Sequence, residues 1–195
     1  GRRSPPGKAI GCGTAVRRLD MDRTVNVIEN LDGKKTVIIQ DIRFRGKRNI
    51  NWTDVERYLV EFIGDIYYIA ENNNEEIYIG RDLPSEYTGS IYTKHLKGTV
   101  AKAKANASVG IPQLIEIATN PRFEKNHKSK HARNAKFGWY RYDTRFALPV
   151  FREDGEIDRF NVFHASLLIR HAADGRKYLY DIIEIKKETG KCCQE

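Results

Sequence analysis

Hydrophobic and polar positions alternate most regularly in the last third of the chain. Tyr140–Phe151, Arg159–Arg170 and Lys177–Lys186 each read as a strand, and the Asp154-Gly155 and Asp174-Gly175 dipeptides between them are hairpin-turn sequences. An antiparallel meander is expected. Side chains along a strand point to alternate faces. On the first strand Tyr142, Thr144, Phe146, Leu148 and Val150 therefore share one face, and Arg141, Asp143 and Arg145 the other. The second strand divides into Phe163, Ala165, Leu167 and Ile169 against His164, Ser166 and Arg170. On the third, Leu179, Ile183 and Ile185 are assigned inward, with Asp181 an exception among them, leaving Tyr178, Tyr180, Glu184 and Lys186 opposite.

Upstream the period changes. Val37–Phe44 is rich in β-formers and reads as a strand. Asn51-Trp52-Thr53 then opens a helix, with Thr53 and Glu56 at capping-box spacing and Trp52, Val55, Leu59, Phe62 and Ile63 recurring at helical intervals. Ile66–Ala70 and Ile77–Gly80 form a hairpin around the polar residues 72–75, and residues 81–90 read as a loop. A long helix is expected from about Thr93 to Ser108. Its apolar stripe is Leu96, Val100, Ala103 and Ala107, with Lys94, Lys97, Lys102 and Lys104 facing mostly elsewhere. Gly110 ends it, Pro112 opens a short second helix to Ala118, and a polar basic connection covers 121–136. The fold class is α+β: an N-terminal strand, helix and hairpin, then one or two helices packed on a C-terminal antiparallel meander of three to four strands. Residues 1–32 read as a flexible tail or linker, 33–80 as the first subdomain, 81–189 as the core and 190–195 as a second tail.

Composition adds a direction. The 195 residues carry a formal charge of +8, and 40% of them are hydrophobic, enough for one packed domain. The charge is concentrated: residues 94–145 hold twelve Lys or Arg against three acids. A local basic surface of this kind is an electrostatic footprint for phosphates, and a solvated lysine-rich face is the competing reading. Cys12, Cys192 and Cys193 are odd in number and lie in the expected tails, so neither a disulfide framework nor a zinc site is expected, and the setting is a reducing cytosol. No apolar run is long enough to span a bilayer.

If the pleats align, one sheet face gathers Arg141, Arg145, His164, Arg170, Tyr180 and Glu184. Such a set suits metal-independent phosphodiester cleavage. His164 would act as acid or base with Glu184 as its counterpart, the arginines would grip phosphate and Tyr180 would position the substrate. An ordinary polar outer face is the alternative. Lys97, Lys102, Lys104, Lys128, Lys130, His131 and Lys136 are candidate phosphate contacts, and Trp139 and Tyr140 candidate base-stacking rings. His127 and His131 are four apart, yet no Cys or carboxylate cluster completes a metal site, and no cofactor is expected.

DLPSEYTGSIYTKHLKG (82–98), AKAKANASVGIPQLIEIATN (101–120), KHARNAKFGWYRYDTRFALPVF (130–151) and YLYDIIEIKKET (178–189) resemble a large polyvalent protein-associated domain, of the third such type, found in phage and conjugative-element proteins of gut Firmicutes. The resemblance covers about two-thirds of the chain. It implies a mobile-element effector acting in the cytoplasm of a host bacterial cell, often beside nucleases. Helices followed by an antiparallel sheet are also similar, at the level of fold, to the barnase/EndoU/colicin/RelE-like ribonucleases, whose active residues lie on the open sheet face. Three functions follow as expectations. The first is an endoribonuclease acting on RNA. The second is a non-catalytic module binding RNA or DNA within a larger polyvalent protein. The third is a protein-interaction domain that antagonises a host defence complex or is held by an immunity protein.

Overall fold

In a computed structural model of the chain, residues 24–46, 48–131 and 134–189 are described. The three cysteines, Arg133 and the C-terminal tail lie outside them.

The fold is mixed α and β, built on one sheet. In chain order its elements are β1 (Val25–Glu29), β2 (Lys35–Ile39), α1 (Trp52–Leu59), β3 (Ile66–Ile69), β4 (Glu75–Tyr78), α2 (Leu83–Gly89), α3 (Ile91–His95), α4 (Gly98–Ala107), α5 (Ile111–Glu116), β5 (Thr119–Glu124), β6 (Trp139–Phe151), β7 (Ile157–His171) and β8 (Lys177–Lys187). The strand order is β1-β2-β6-β7-β8-β4-β3. The expected meander forms its centre, with β6 antiparallel to β7 and β7 to β8. Gly155 (φ +86°) and Gly175 (φ +83°) turn the two hairpins in the left-handed region that glycine enters without strain.

The sheet is larger than the sequence pattern implies. Both N-terminal hairpins join it, through parallel pairing of β2 with β6 and of β4 with β8. Residues 33–80 are therefore no separate subdomain, and the expected tail 1–32 contains β1, laddered to β2 from Val25↔Ile39 to Glu29↔Lys35. β5 pairs with the first half of β6, on the edge whose second half takes β2. It replaces part of the expected irregular connection.

The concave side holds the core. Val37, Ile39, Ile77, Phe146, Phe163, Leu167, Ile169, Leu179 and Ile182 close on Ala103, Ala107, Ile111 and Leu114. Thr144 Oγ1 donates to the Leu114 carbonyl at 3.0 Å, and the Ala70 amide donates to the Glu116 carbonyl at 3.1 Å, tying α5 to both sides of the curl. Asn106, buried, accepts from the Phe44 amide at 2.9 Å and donates to the Phe44 carbonyl at 3.1 Å. That contact satisfies the chain where the expected strand 37–44 has already ended at Ile39.

The expected helix 93–108 is two helices, because Leu96 and Lys97 are extended (ψ 140° and 157°). Residues expected as a loop instead form α2, with Pro84 in its first turn. Asn51, not Thr53, caps α1, accepting from the Thr53 amide at 3.2 Å. Beyond Tyr178 the outer edge of β8 has no strand partner among the described residues. α2 packs on β8, and the Ile185 amide donates to the Tyr92 hydroxyl at 2.8 Å, which covers an otherwise open edge.

Candidate nucleic-acid interface

The convex face carries the chemistry, but a change of strand phase alters its membership. Register shifts lie between His164 and Ser166 and between Leu168 and Ile169, opposite Glu184 and Tyr180 of β8. Each β-bulge inserts one residue and restarts the alternation. Glu184 has φ +54°, unusual for a residue with a Cβ. Ile182 accordingly takes the buried place, and Ile183, assigned inward by alternation, instead lines the outer groove described below.

The expected acid–base pair divides between two networks. Glu184 is held by Arg141, and Ser166 Oγ donates to its other oxygen at 2.8 Å. His164 hydrogen-bonds Glu188 instead, and Arg145 Nη2 donates to the same carboxylate at 2.9 Å. Glu188 lies beyond the expected end of the third strand, which is why strand alternation missed it. Asp143 is clasped by Arg122 at 2.8 Å, and the Asn120 amide donates to it at 2.9 Å. Burial would raise its pKa, and these contacts together lower it. Arg145, Asp143, His164, Glu184, Lys186 and Lys35 line one cleft of about 550 Å³. Asp143, Arg145, His164 and Glu184 are each engaged in these pairs, while Lys35 and Lys186 have no carboxylate within 4 Å among the described residues.

A second groove, of about 480 Å³, has a different character. Its floor is Trp139, Tyr180, Leu168 and Ile183. One wall is α2–α3 and the other is 124–131. Trp139 and Tyr180 meet edge to face at 5.0 Å, and the His131 ring stands at 5.4 Å from Trp139 and 6.1 Å from Tyr180. Asn126 Oδ1 accepts from the indole N–H at 3.4 Å. Burial, then the neighbouring Lys130, holds His131 below the usual histidine pKa. Tyr180 is raised by burial and by its hydrogen bond to Glu86. Lys125, Lys128 and Lys130 stand exposed on the rim, without a carboxylate within 4 Å among the described residues. Arg141 reaches the groove from the floor and lies 3.9 Å from Glu124.

Other candidate contacts lie elsewhere. Tyr140, next to Trp139 in sequence, points to the concave side, where it packs on Phe123 at 5.2 Å and under the Lys177 ammonium at 4.1 Å. It cannot stack a base beside Trp139. Lys104 is fully buried, paired with Asp181 at 2.5 Å and facing the rings of Tyr87 and Tyr92, so it is not a surface contact. The alanine stripe of α4 made it look solvent-directed. Its partner is the inward exception already evident in β8. Lys97, Lys102 and Lys136 lie outside the groove lining, with Lys136 over Phe137 at 5.4 Å. Arg170 is held by Asp82 at 2.9 and 3.2 Å, and its Nη1 donates to the Asn134 carbonyl at 3.1 Å.

Among the described residues no helix is long and apolar enough to cross a membrane. Compared with protein-family models, curated proteins and solved structures, the chain matches none of them.

Proposed function

We propose that this protein binds single-stranded RNA in the groove between α2–α3 and residues 124–131. The observation that carries the reading is an aromatic floor, Trp139 and Tyr180 with His131, beneath a rim of lysines that have no carboxylate within 4 Å among the described residues. Bases offer π-faces that stack on such rings, and the backbone offers charge to the rim. A duplex keeps its bases stacked inside and cannot use the floor. The resemblance to polyvalent mobile-element domains fits a module of this kind acting within a bacterial cell.

The test is fluorescence anisotropy with labelled single-stranded RNA, the matching duplex and DNA of the same sequence, over a salt series. Single strands should bind more tightly than the duplex, affinity should fall steeply with salt, and Trp139→Ala should weaken binding. Equal affinity for duplex and single strand, or no effect of Trp139→Ala, rejects the groove.

A second reading, metal-independent RNA cleavage, is favoured by one arrangement. The exposed His164 imidazole is oriented by Glu188 beside Arg145. His164 would take the 2′-hydroxyl proton as the 2′-oxygen bonds to phosphorus, and Arg145 would steady the charged phosphorane. The imidazolium would return the proton to the 5′-oxygen as its bond to phosphorus breaks, leaving a 2′,3′-cyclic phosphate. Glu188 replaces Glu184 as the supporting carboxylate, because Glu184 is engaged by Arg141 and Ser166. Total RNA incubated in chelator should be cut by wild type and not by His164→Ala. Intact RNA with both proteins removes this reading and leaves binding standing.

A further inference from the structure

From Arg170, on the side away from the groove, four side chains stack in a row, two tyrosine rings between two guanidinium groups. The Arg170 guanidinium lies 4.1 Å from the centre of the Tyr178 ring. Tyr178 and Tyr78 are 5.7 Å apart and tilted by 46°. The Arg176 guanidinium lies 4.9 Å from the Tyr78 ring. The ladder exists because of long-range topology: parallel pairing of β4 with β8 sets Tyr78 beside Tyr178, and the β7–β8 turn supplies Arg176. Gly80 keeps the space open, since a Cβ there would lie 2.7 Å from Asp82 Oδ1 and 3.1 Å from the Tyr178 ring.

Apolar packing does not account for these rings. Both are half-exposed, and their faces meet guanidinium groups rather than the core. Their hydroxyls are tied, Tyr178 donating to Asp174 at 2.6 Å and Tyr78 to Glu76 at 2.7 Å, which fixes the ring planes. The local acids are thus engaged: Asp82 by Arg170, Asp174 and Glu76 by the two tyrosines. Arg81 and Arg176 remain exposed, with no carboxylate within 4 Å among the described residues, and line an open cleft of about 650 Å³ with both rings. Arg170, which lines this cleft, stands in register between Trp139 of the groove on one side and Tyr178 on the other.

We infer that the Tyr78–Tyr178 ladder is a second base-stacking station for the same RNA strand. The inference rests on the groove as a single-strand site. The RNA then crosses the sheet, from Trp139 on β6 past Arg170 on β7 to Tyr178 on β8 and Tyr78 on β4, instead of following one strand. Neighbouring strands are roughly 4.8 Å apart, so three steps cover about 14 Å. At about 3.4 Å per stacked nucleotide that is a path of roughly four to five nucleotides between the outermost rings. A tetranucleotide stacked from Trp139 spans about 10 Å and stops short of Tyr78, and a dodecanucleotide reaches the whole ladder.

The test uses fluorescein-labelled oligouridines of four and twelve nucleotides, read by anisotropy. Tyr78→Ala and Arg176→Ala should each weaken dodecamer binding about tenfold, the scale of one stacked base, and leave the tetramer unchanged. Tyr78→Phe keeps the ring and should bind as wild type. Trp139→Ala should weaken both oligomers. If Tyr78→Ala and Arg176→Ala leave the dodecamer unchanged, or weaken both lengths equally, the second station is overturned and the Trp139 groove stands. If Trp139→Ala changes neither length, or wild type binds neither, the groove itself fails and the ladder with it. Melting curves identical to wild type establish that the variants are folded.

Discussion

Replacing Lys104 with methionine is the most informative single perturbation of the core. The substitution keeps the volume of the stem and removes the ammonium that lies 2.5 Å from Asp181 and faces Tyr87 at 4.6 Å and Tyr92 at 4.9 Å. Asp181 would retain the Ser90 hydroxyl at 3.0 Å and the Ile182 amide at 2.8 Å. Two donors do not replace a counter-charge in a site where Lys104 is 0% and Asp181 2% exposed. Removing one partner of a buried ion pair costs about 3–5 kcal/mol. For a chain of this size that lowers the melting temperature by about 6–20 °C, at roughly 2–4 °C per kcal/mol. The double variant Lys104→Met/Asp181→Leu should recover most of the loss, because apolar replacement of both charges removes the desolvation cost along with the attraction. Thermal and urea denaturation followed by circular dichroism, at pH 7, measure all three proteins. A single variant as stable as wild type, or a double variant no better than the single, would refute the view that the pair is a coupled unit.

Three further outcomes follow. Burial outweighs the attraction of Lys104 and raises the Asp181 pKa from 3.8 to about 6, so the folded protein holds this proton more tightly than the unfolded chain. Protonated Asp181 therefore favours folding at low pH, and that contribution is lost as the pH rises from 3.8 through 6. The stability of wild type relative to Asp181→Asn should decline across that window and level off above it. Gly138→Ala should cost about 1–3 kcal/mol and weaken RNA binding, because its φ is +99° and the new Cβ would lie 2.6 Å from Phe123 and 2.8 Å from the Glu124 carbonyl; urea denaturation and anisotropy read the two effects. Glu184→Gln should release the Arg141 guanidinium from its carboxylate, tightening RNA binding and steepening its salt dependence by about one unit of slope; an unchanged slope would place Arg141 outside the interface.

The meander was legible because its cues are local: strict alternation and two Asp-Gly turns within one continuous stretch. β1 and β5 were not, because most of their residues are exposed, so no apolar period marks them. The bulges at Tyr180 and Glu184 were equally silent, and they are why Ile182 and Ile183 exchange the faces that simple alternation gives them. Trp139 and Tyr140 show the opposite case. Adjacent strand residues must face opposite sides, so the sequence already contained the reason only one of them could floor a groove. Asp181 was visible as an acid in an inward set, but Lys104, inside an alanine run, read as a surface phosphate contact. Only the packing of α4 against β8 brings the two together.

The two parallel pairings also bear on how the sheet is assembled in time. Val37 meets Phe146 and Ile77 meets Lys177, in both cases across about a hundred residues of chain. Closing such large loops costs entropy before any contact offsets it, so proteins dominated by distant pairings fold slowly. On a ribosome, β2 and β4 emerge long before β6 and β8 exist, and each waits as a hairpin with one unpaired edge. The meander, built from near neighbours, is the part able to form first and then template both ends. Fragments ending before β6 should accordingly populate collapsed, aggregation-prone states, and a chaperone should bind them in preference to the finished chain.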